Sequence, residues 1–306
     1  MRHDIIVVGG GPAGMTAALY ALRNGKSVLV IEKNGFGGQI THSPKVENYP
    51  GTLQMSGNEF AEKMLDQILQ QGAEIEFENV TGVVDDNGVK IVSTEEGGRY
   101  EAGAVILATG VKHRMLGLEG EDELVGDGIS FCAVCDGDFY TGRRVCVAGG
   151  GNSALQEAIL LSEKCSEVIM LQDMDFFTGE QKLQDVLFAK PNVKSFTGVG
   201  IVGFDVAGNE LHGVVIEDKK SGEQRTIPCD GLFVAIGLIP ENESFKALAD
   251  LNRFGYFDSD ERCETKTPGI YVAGDCRSKG VRQLTTAVAD GASAALAACR
   301  YLDEKQ

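Results

Sequence analysis

Two stretches of this chain follow one plan. DIIVVGGGPAGMTAALYALRNGKSVLVIEK (4–33) and RVCVAGGGNSALQEAILLSEKCSEVIMLQD (144–173) each read as strand, glycine loop, helix, strand. Each is later joined by another apolar strand ending in a small-residue turn, AVILATG (104–110) and LFVAIG (232–237). Uninterrupted apolar strands alternating with helical segments call for parallel sheets covered on both faces. Beyond Gly237 the segment GIYVAGD (269–275) reads as one more buried strand, and an alanine-rich helix follows over 285–302. The expected fold is α/β, with two Rossmann-like dinucleotide-binding domains and the second inserted into the first. The boundaries expected are 1–113 plus 246–306 for the first domain and 114–245 for the second.

The first glycine loop carries a mechanism. Gly9, Gly11 and Gly14, with Pro12 and Ala13 between them, form G-x-G-x-x-G after a strand and before a helix, and Glu32 stands at the end of the next strand. Glycines let the backbone approach a pyrophosphate, the helix N-terminus stabilises its charge, and the acid accepts from an adenosine ribose hydroxyl. In the second unit Gly149, Gly151 and Ala154 keep the G-x-G-x-x-A form, with Asn152 and Ser153 opening the helix.

FCAVCDGDFY (131–140) adds a second kind of chemistry. Cys132 and Cys135 form C-x-x-C, a spacing that closes a small disulfide and lets one thiol be activated. A zinc site would need two more ligands at similar spacing, and the other six cysteines are scattered singly, so no metal site is expected. Those six read as core residues or idle thiols, and the four histidines form no ligand set. Asp136 reads equally as a helix N-cap and as the acid that protonates a departing sulfur.

Charge sets the partners. Asp plus Glu number 45 against 28 Lys plus Arg, a formal net charge of −17, which repels nucleic acid and anionic membranes. No apolar run approaches the ~20 residues of a membrane helix, and DIIVVGG reads as a first strand rather than an export signal. Eight cysteines without such a signal point to a reducing cytoplasm.

The chain resembles the low-molecular-weight thioredoxin reductases from end to end. The motifs that carry the likeness are GGGPAG (9–14), FGGQ (36–39), ENYPG (47–51), ATG (108–110), CAVCDG (132–137), GGGNSA (149–154), AGD (273–275) and RQ (282–283). The resemblance implies that the first domain binds FAD through Gly9, Gly11, Pro12, Ala13, Gly14, Glu32, Gly38, Gln39, Asn48, Thr109, Gly110, Gly274, Asp275, Arg282 and Gln283. It implies a homodimer, a Cys135 that receives electrons from the flavin, a Cys132 that attacks the substrate disulfide, and Asp136 as acid. It also implies a rotation of the inserted domain, hinged near 112–117 and 241–245.

One stretch departs from the pattern. Family members that use NADPH carry a His-Arg-Arg and a further Arg past the second strand of the inserted domain, whereas this chain has Gln172, Asp173, Met174 and Thr178. Asp173 and Asp175 would repel a 2′-phosphate, which disfavours NADPH. Two readings stay open. Asp173 holds a free ribose 2′-OH of NADH, with Gly149, Gly151, Asn152 and Ser153 along the nucleotide, or ferredoxin is the donor and the second loop is architecture. The expected acceptor is thioredoxin or a thioredoxin-like protein. A dithiol oxidase and a non-catalytic flavin sensor are the rival functions.

Overall fold

The structure, a computed structural model, describes residues 2–43, 46–208 and 210–305. The chain divides into two compact units, 1–112 with 239–306, and 113–238.

The first unit is built on the strand Arg2–Val8, whose last residue lies opposite Ile31 on one side and Leu107 on the other. Around it runs a parallel sheet in the order Glu74–Glu76, Val28–Ile31, Arg2–Val8, Arg99–Leu107, Ile270–Val272. The leading half of Arg99–Leu107 also pairs with the antiparallel strands Val89–Thr94 and Val80–Asp86. Val28–Ile31 is buried throughout, as a strand covered on both faces should be. The helices Pro12–Arg23 and Leu284–Asp303 cover one face with small side chains. Ala17, Ala18 and Ala21 join Ala294, Ala295 and Ala298 in one core. Their contact is close enough that a Cβ at Gly291 would collide with the Ala13 carbonyl.

The second unit repeats this frame. Its parallel sheet runs Val193–Thr197, Glu167–Gln172, Arg144–Ala148, Gly231–Val234, Ile129–Ser130. A three-stranded antiparallel meander, Val199–Ala207, Glu210–Asp218 and Gln224–Pro228, accompanies it. The strand at the Ile270–Val272 position differs in origin. Here it comes from chain that precedes the glycine loop, and it runs directly into the C-x-x-C segment. No helix among the described residues is long and apolar enough to cross a membrane.

Candidate functional sites

In the first unit the expected dinucleotide residues converge at the carboxyl ends of the parallel strands, where open α/β sheets bind ligands. Gly9 has φ 108° and its missing Cβ lies where Ala108 presents its carbonyl, so a larger residue fails on both counts. The helix Pro12–Arg23 begins at Gly11 with Pro12 in its first turn and no acid there, so its positive end is unopposed. Glu32 accepts from the Gly10 N–H at 2.6 Å and from the Asn34 N–H at 2.9 Å, which fixes its carboxylate beside the loop. A Cβ at Gly38 would lie 3.5 Å from the Gly11 Cα, and one at Gly274 would come within 2.7 Å of the Ala13 Cβ. Gln39 lies in the 3-10 turn Gly38–His42. Thr109 donates to Asn242 at 2.8 Å, followed by Gly110 at φ 66°. Arg282 donates to the Asp275 carbonyl at 3.1 Å and lies over the Tyr256 ring, and Asn48 donates to Gln283 at 3.2 Å.

These residues fit a flavin adenine dinucleotide. The glycine loop leaves open space at Gly11, whose missing Cβ has nothing nearer than a carbonyl at 4.0 Å. Asp275 Oδ1 is buried without a hydrogen bond, although Lys279 lies 3.3 Å away as an ion pair. Burial pushes the Asp275 carboxyl upward, against the pull of Lys279. A buried acceptor at this place is the partner that a polyol hydroxyl of the cofactor requires.

The second glycine loop reproduces the backbone geometry of the first. Gly149 has φ 123°, its N–H meets the Leu171 carbonyl at 2.9 Å, and its missing Cβ faces the Ala235 carbonyl at 2.5 Å. Gly9 makes the matching bond to Ile31 at 2.8 Å. Ala154 replaces the third glycine and is buried. Asn152 is held in a reciprocal pair with Glu180, and Ser153 is exposed.

Register decides which residue of the second strand corresponds to Glu32. Val8 faces Ile31 and Ala148 faces Leu171, so the matching residue is Gln172. Its buried side chain lies 2.5 Å from the Cβ that Gly150 lacks, as Glu32 lies 3.1 Å from that of Gly10. Gln172 Nε2 donates to the Phe176 carbonyl at 3.0 Å. Asp173 is one residue farther, exposed, and 3.4 Å from Lys219, while Asp175 pairs with Lys220 at 2.8 Å. The hairpin lysines soften the repulsion expected from these two aspartates. Each solvent-exposed pair is worth about 0–1 kcal/mol.

Cys132 and Cys135 form a disulfide with Cα atoms 5.3 Å apart. Cys132 is the N-cap of the short helix Ala133–Asp136, and Cys135 N–H points at its sulfur at 3.2 Å. Asp136 closes that helix and stands at the N-cap position of the 3-10 turn Gly137–Tyr140, but its side chain makes no cap bond and accepts instead from the Ser130 hydroxyl at 2.6 Å. Ser130 in turn accepts from the Cys132 N–H at 3.1 Å, so one hydroxyl ties the acid to the redox pair. Burial pushes the Asp136 carboxyl upward and the Ser130 bond opposes it. A carboxyl that holds its proton more readily beside a sulfur pair is suited to acid work.

The other cysteines are buried. Burial raises Cys165 to about 11 and Cys263 to about 12, far from thiolate character at neutral pH. Sequence reasoning missed Ser130 and Asn242. Ser130, two residues before Cys132, could have been found as a hydroxyl beside the pair. Asn242 reaches Thr109, Gly255 and Cys276 through the fold and has no local signal.

Residues 3–291 match the model of the pyridine nucleotide-disulphide oxidoreductases. The chain is 40% identical to the 34.2 kDa protein in rubredoxin operon of Clostridium pasteurianum, over 99% of this chain and 98% of that one. It is 38% identical to thioredoxin reductase of Listeria innocua, over 99% and 94%. The crystal structure of thioredoxin reductase from Streptococcus pyogenes matches with a TM-score of 0.94 at 37% identity, covering 99% of both chains. The two glycine cradles and the sulfur pair are thus found on a frame shared end to end, and the chain belongs to the pyridine nucleotide-disulphide oxidoreductases as an FAD-dependent flavoprotein of the low-molecular-weight thioredoxin reductase type.

Proposed function

We propose that this flavoprotein reduces thioredoxin or a thioredoxin-like protein through Cys132 and Cys135, with NADH as donor. The observation that carries the acceptor half is the disulfide tied through Ser130 to a half-buried acid. In this reading the first unit holds FAD and the second holds the nucleotide and the dithiol. Bound FAD supplies two-electron transfer between the donor and the sulfur pair. The Cys132 thiolate attacks the acceptor disulfide, and Asp136 protonates the sulfur that leaves. Cys135 then attacks Cys132, which frees the second acceptor thiol and restores the Cys132–Cys135 disulfide. Family likeness supports a cytoplasmic homodimer and retention of the inter-domain rotation.

The donor assignment rests on the second cradle. Its glycine geometry is intact, its strand-end residue Gln172 is an uncharged acceptor in the place of Glu32, and the aspartates beyond it are already paired with Lys219 and Lys220. A 2′-hydroxyl finds an acceptor there, whereas a 2′-phosphate of charge near −2 finds two carboxylates competing for the lysines. Asp173, kept by Lys219 at the edge of the site, is the second acceptor within this reading. The alternative donor is ferredoxin, which the missing arginines favour. The acceptor half is tested by replacing both cysteines with serine and following thioredoxin reduction. Loss of turnover with flavin content unchanged is expected; turnover at the original rate refutes the site.

A further inference from the structure

Asp136, next to Cys135, and Glu157 are half-buried carboxyls, each with one sealed oxygen that has an open valence. Asp136 Oδ1 and Glu157 Oε2 are both sealed from solvent with no hydrogen-bond partner among the described residues. They stand on elements that pack together, the helix Ala133–Asp136 and the helix Asn152–Ser162. Asp136 has its second oxygen on Ser130, whereas Glu157 has no established task. The glycine loop needs only the first turn of its helix, and a carboxyl one turn farther in is costly to bury unless it does something.

The surroundings of Glu157 are sparse in charge. Neighbouring elements carry Lys182 and Asp185 on the helix Gln181–Phe188, Arg144 and Cys146 on Arg144–Ala148, and Glu167 on Glu167–Gln172. The charge that acts on Glu157 is instead that of Asp136, which also acts on Tyr140 in the turn Gly137–Tyr140. Burial first, and the Asp136 charge second, raise the Glu157 carboxyl to about 8. Glu157 therefore carries a proton at neutral pH. The Asp136 charge thus disfavours ionisation of Glu157.

We propose that Glu157 is the proton-holding partner of Asp136, so that the two carboxyls form a one-proton reservoir beside the Cys132–Cys135 dithiol. The inference rests on the roles given above to Cys132, Cys135 and Asp136. In one turnover the acceptor's S–S bond breaks and the Cys132–Cys135 bond forms, and two electrons and two thiol protons pass to the acceptor. Asp136 gives its proton to the first departing sulfur and is reprotonated by Glu157. The reprotonated Asp136 serves the second departing sulfur, while the proton of the Cys135 thiol returns to the pair as that thiol becomes the nucleophile. The pair thus lends one proton until the dithiol is next reduced. Glu157 touches no reacting sulfur and is a positioning residue for the proton.

The test uses holoenzyme reduced with a small dithiol, freed of excess reductant, and mixed with oxidised thioredoxin from about pH 6 to about pH 9.5. The wild-type exchange rate is expected to fall as pH rises through about 8. E157Q is expected to be roughly tenfold slower at pH 7 and to lack that alkaline limb, with flavin content and circular dichroism unchanged. Infrared difference spectra give a readout independent of turnover: a protonated-carboxyl band lost on raising the pH in the wild type and absent in E157Q. Superimposable pH profiles with the band retained in E157Q would overturn the inference while D136N remains impaired. If D136N also exchanges at the wild-type rate, the reading of the dithiol site itself fails.

Discussion

The two units share a frame and differ at its edges. In both, a central strand feeds a glycine of positive φ, a helix starts at the third residue of the loop, and the next strand ends against the loop's second glycine. The fifth strand separates them. In the first unit it is Ile270–Val272, delivered by the tail of the chain and ending near Asp275. In the second it is Ile129–Ser130, delivered before the loop and ending two residues before Cys132. The second strand separates them too, ending at Glu32 in one and Gln172 in the other. The parallel core fixes where ligands approach, and the residues just past the strand ends set the chemistry.

The largest break in this comparison is at the fifth strand. Cys135→Ser is expected to lower disulfide turnover by at least ~1,000-fold while leaving Cys132 able to hold thioredoxin as a mixed disulfide. Cys132→Ser should lose turnover without trapping. Non-reducing electrophoresis reads both, and equal trapping by the two variants would reverse their assigned roles. Flavin content should stay at the wild-type level, because these residues lie outside the first unit.

Next is the half-buried acid that has no counterpart among the expected flavin residues of the first unit. The folded-state value of Glu157, about 8, lies above the ordinary glutamate value of 4.5. The folded protein then binds more protons than the unfolded chain between these values. Wild-type stability therefore falls as pH rises through that window, by a ceiling of roughly 5 kcal/mol. Denaturant titrations of E157Q should match the wild type near pH 4 and exceed it by a few kcal/mol near pH 8.5. A constant difference across that range would contradict the assignment.

The glycine loops offer a sharper, smaller contrast. Gly9→Ala and Gly149→Ala meet the same obstacle, positive φ with a carbonyl facing the new methyl, and each should cost about 2–4 kcal/mol. The losses should then divide by function: Gly9→Ala purifies poor in flavin, and Gly149→Ala keeps its flavin and loses nucleotide affinity. Calorimetry and the visible spectrum separate the two outcomes. Flavin loss from both variants would mean that the loops do not serve separate ligands.

The smallest effect is expected at the second strand. Gln172→Glu restores the acid that Glu32 provides in the first unit and should lower the KM for NADH by roughly threefold to tenfold, a gain of about 1 kcal/mol. The KM for NADPH should not fall. An equal gain for both nucleotides would remove Gln172 from the ribose site.

Much of this was legible in the sequence because the information is local. Glycine spacing, apolar strands and C-x-x-C each announce a short-range geometry, and the duplicated strand–loop–helix–strand plan is the plan observed. What resisted reading depends on register or on convergence. Counting along the chain singles out Asp173 as the strand-end acid, while pairing with Ala148 and Leu171 puts Gln172 in the place of Glu32. Lys219 and Lys220 reach the aspartates from a hairpin far along the chain. Asp136 read equally well as a cap, and only its bond to Ser130 gives it another task. Glu157 carries no local signal, and only the fold seals one of its oxygens on a helix packed against that of Asp136.

The account turns on whether electrons enter through the second glycine loop. The direct measurement is anaerobic stopped-flow mixing of the oxidised flavoprotein with NADH, NADPH or reduced ferredoxin, following the oxidised flavin band. Rapid bleaching by NADH with little by NADPH is the result expected of a cradle with Gln172 at the ribose and paired lysines beyond it. Bleaching by reduced ferredoxin alone would contradict the account and leave the second loop as architecture.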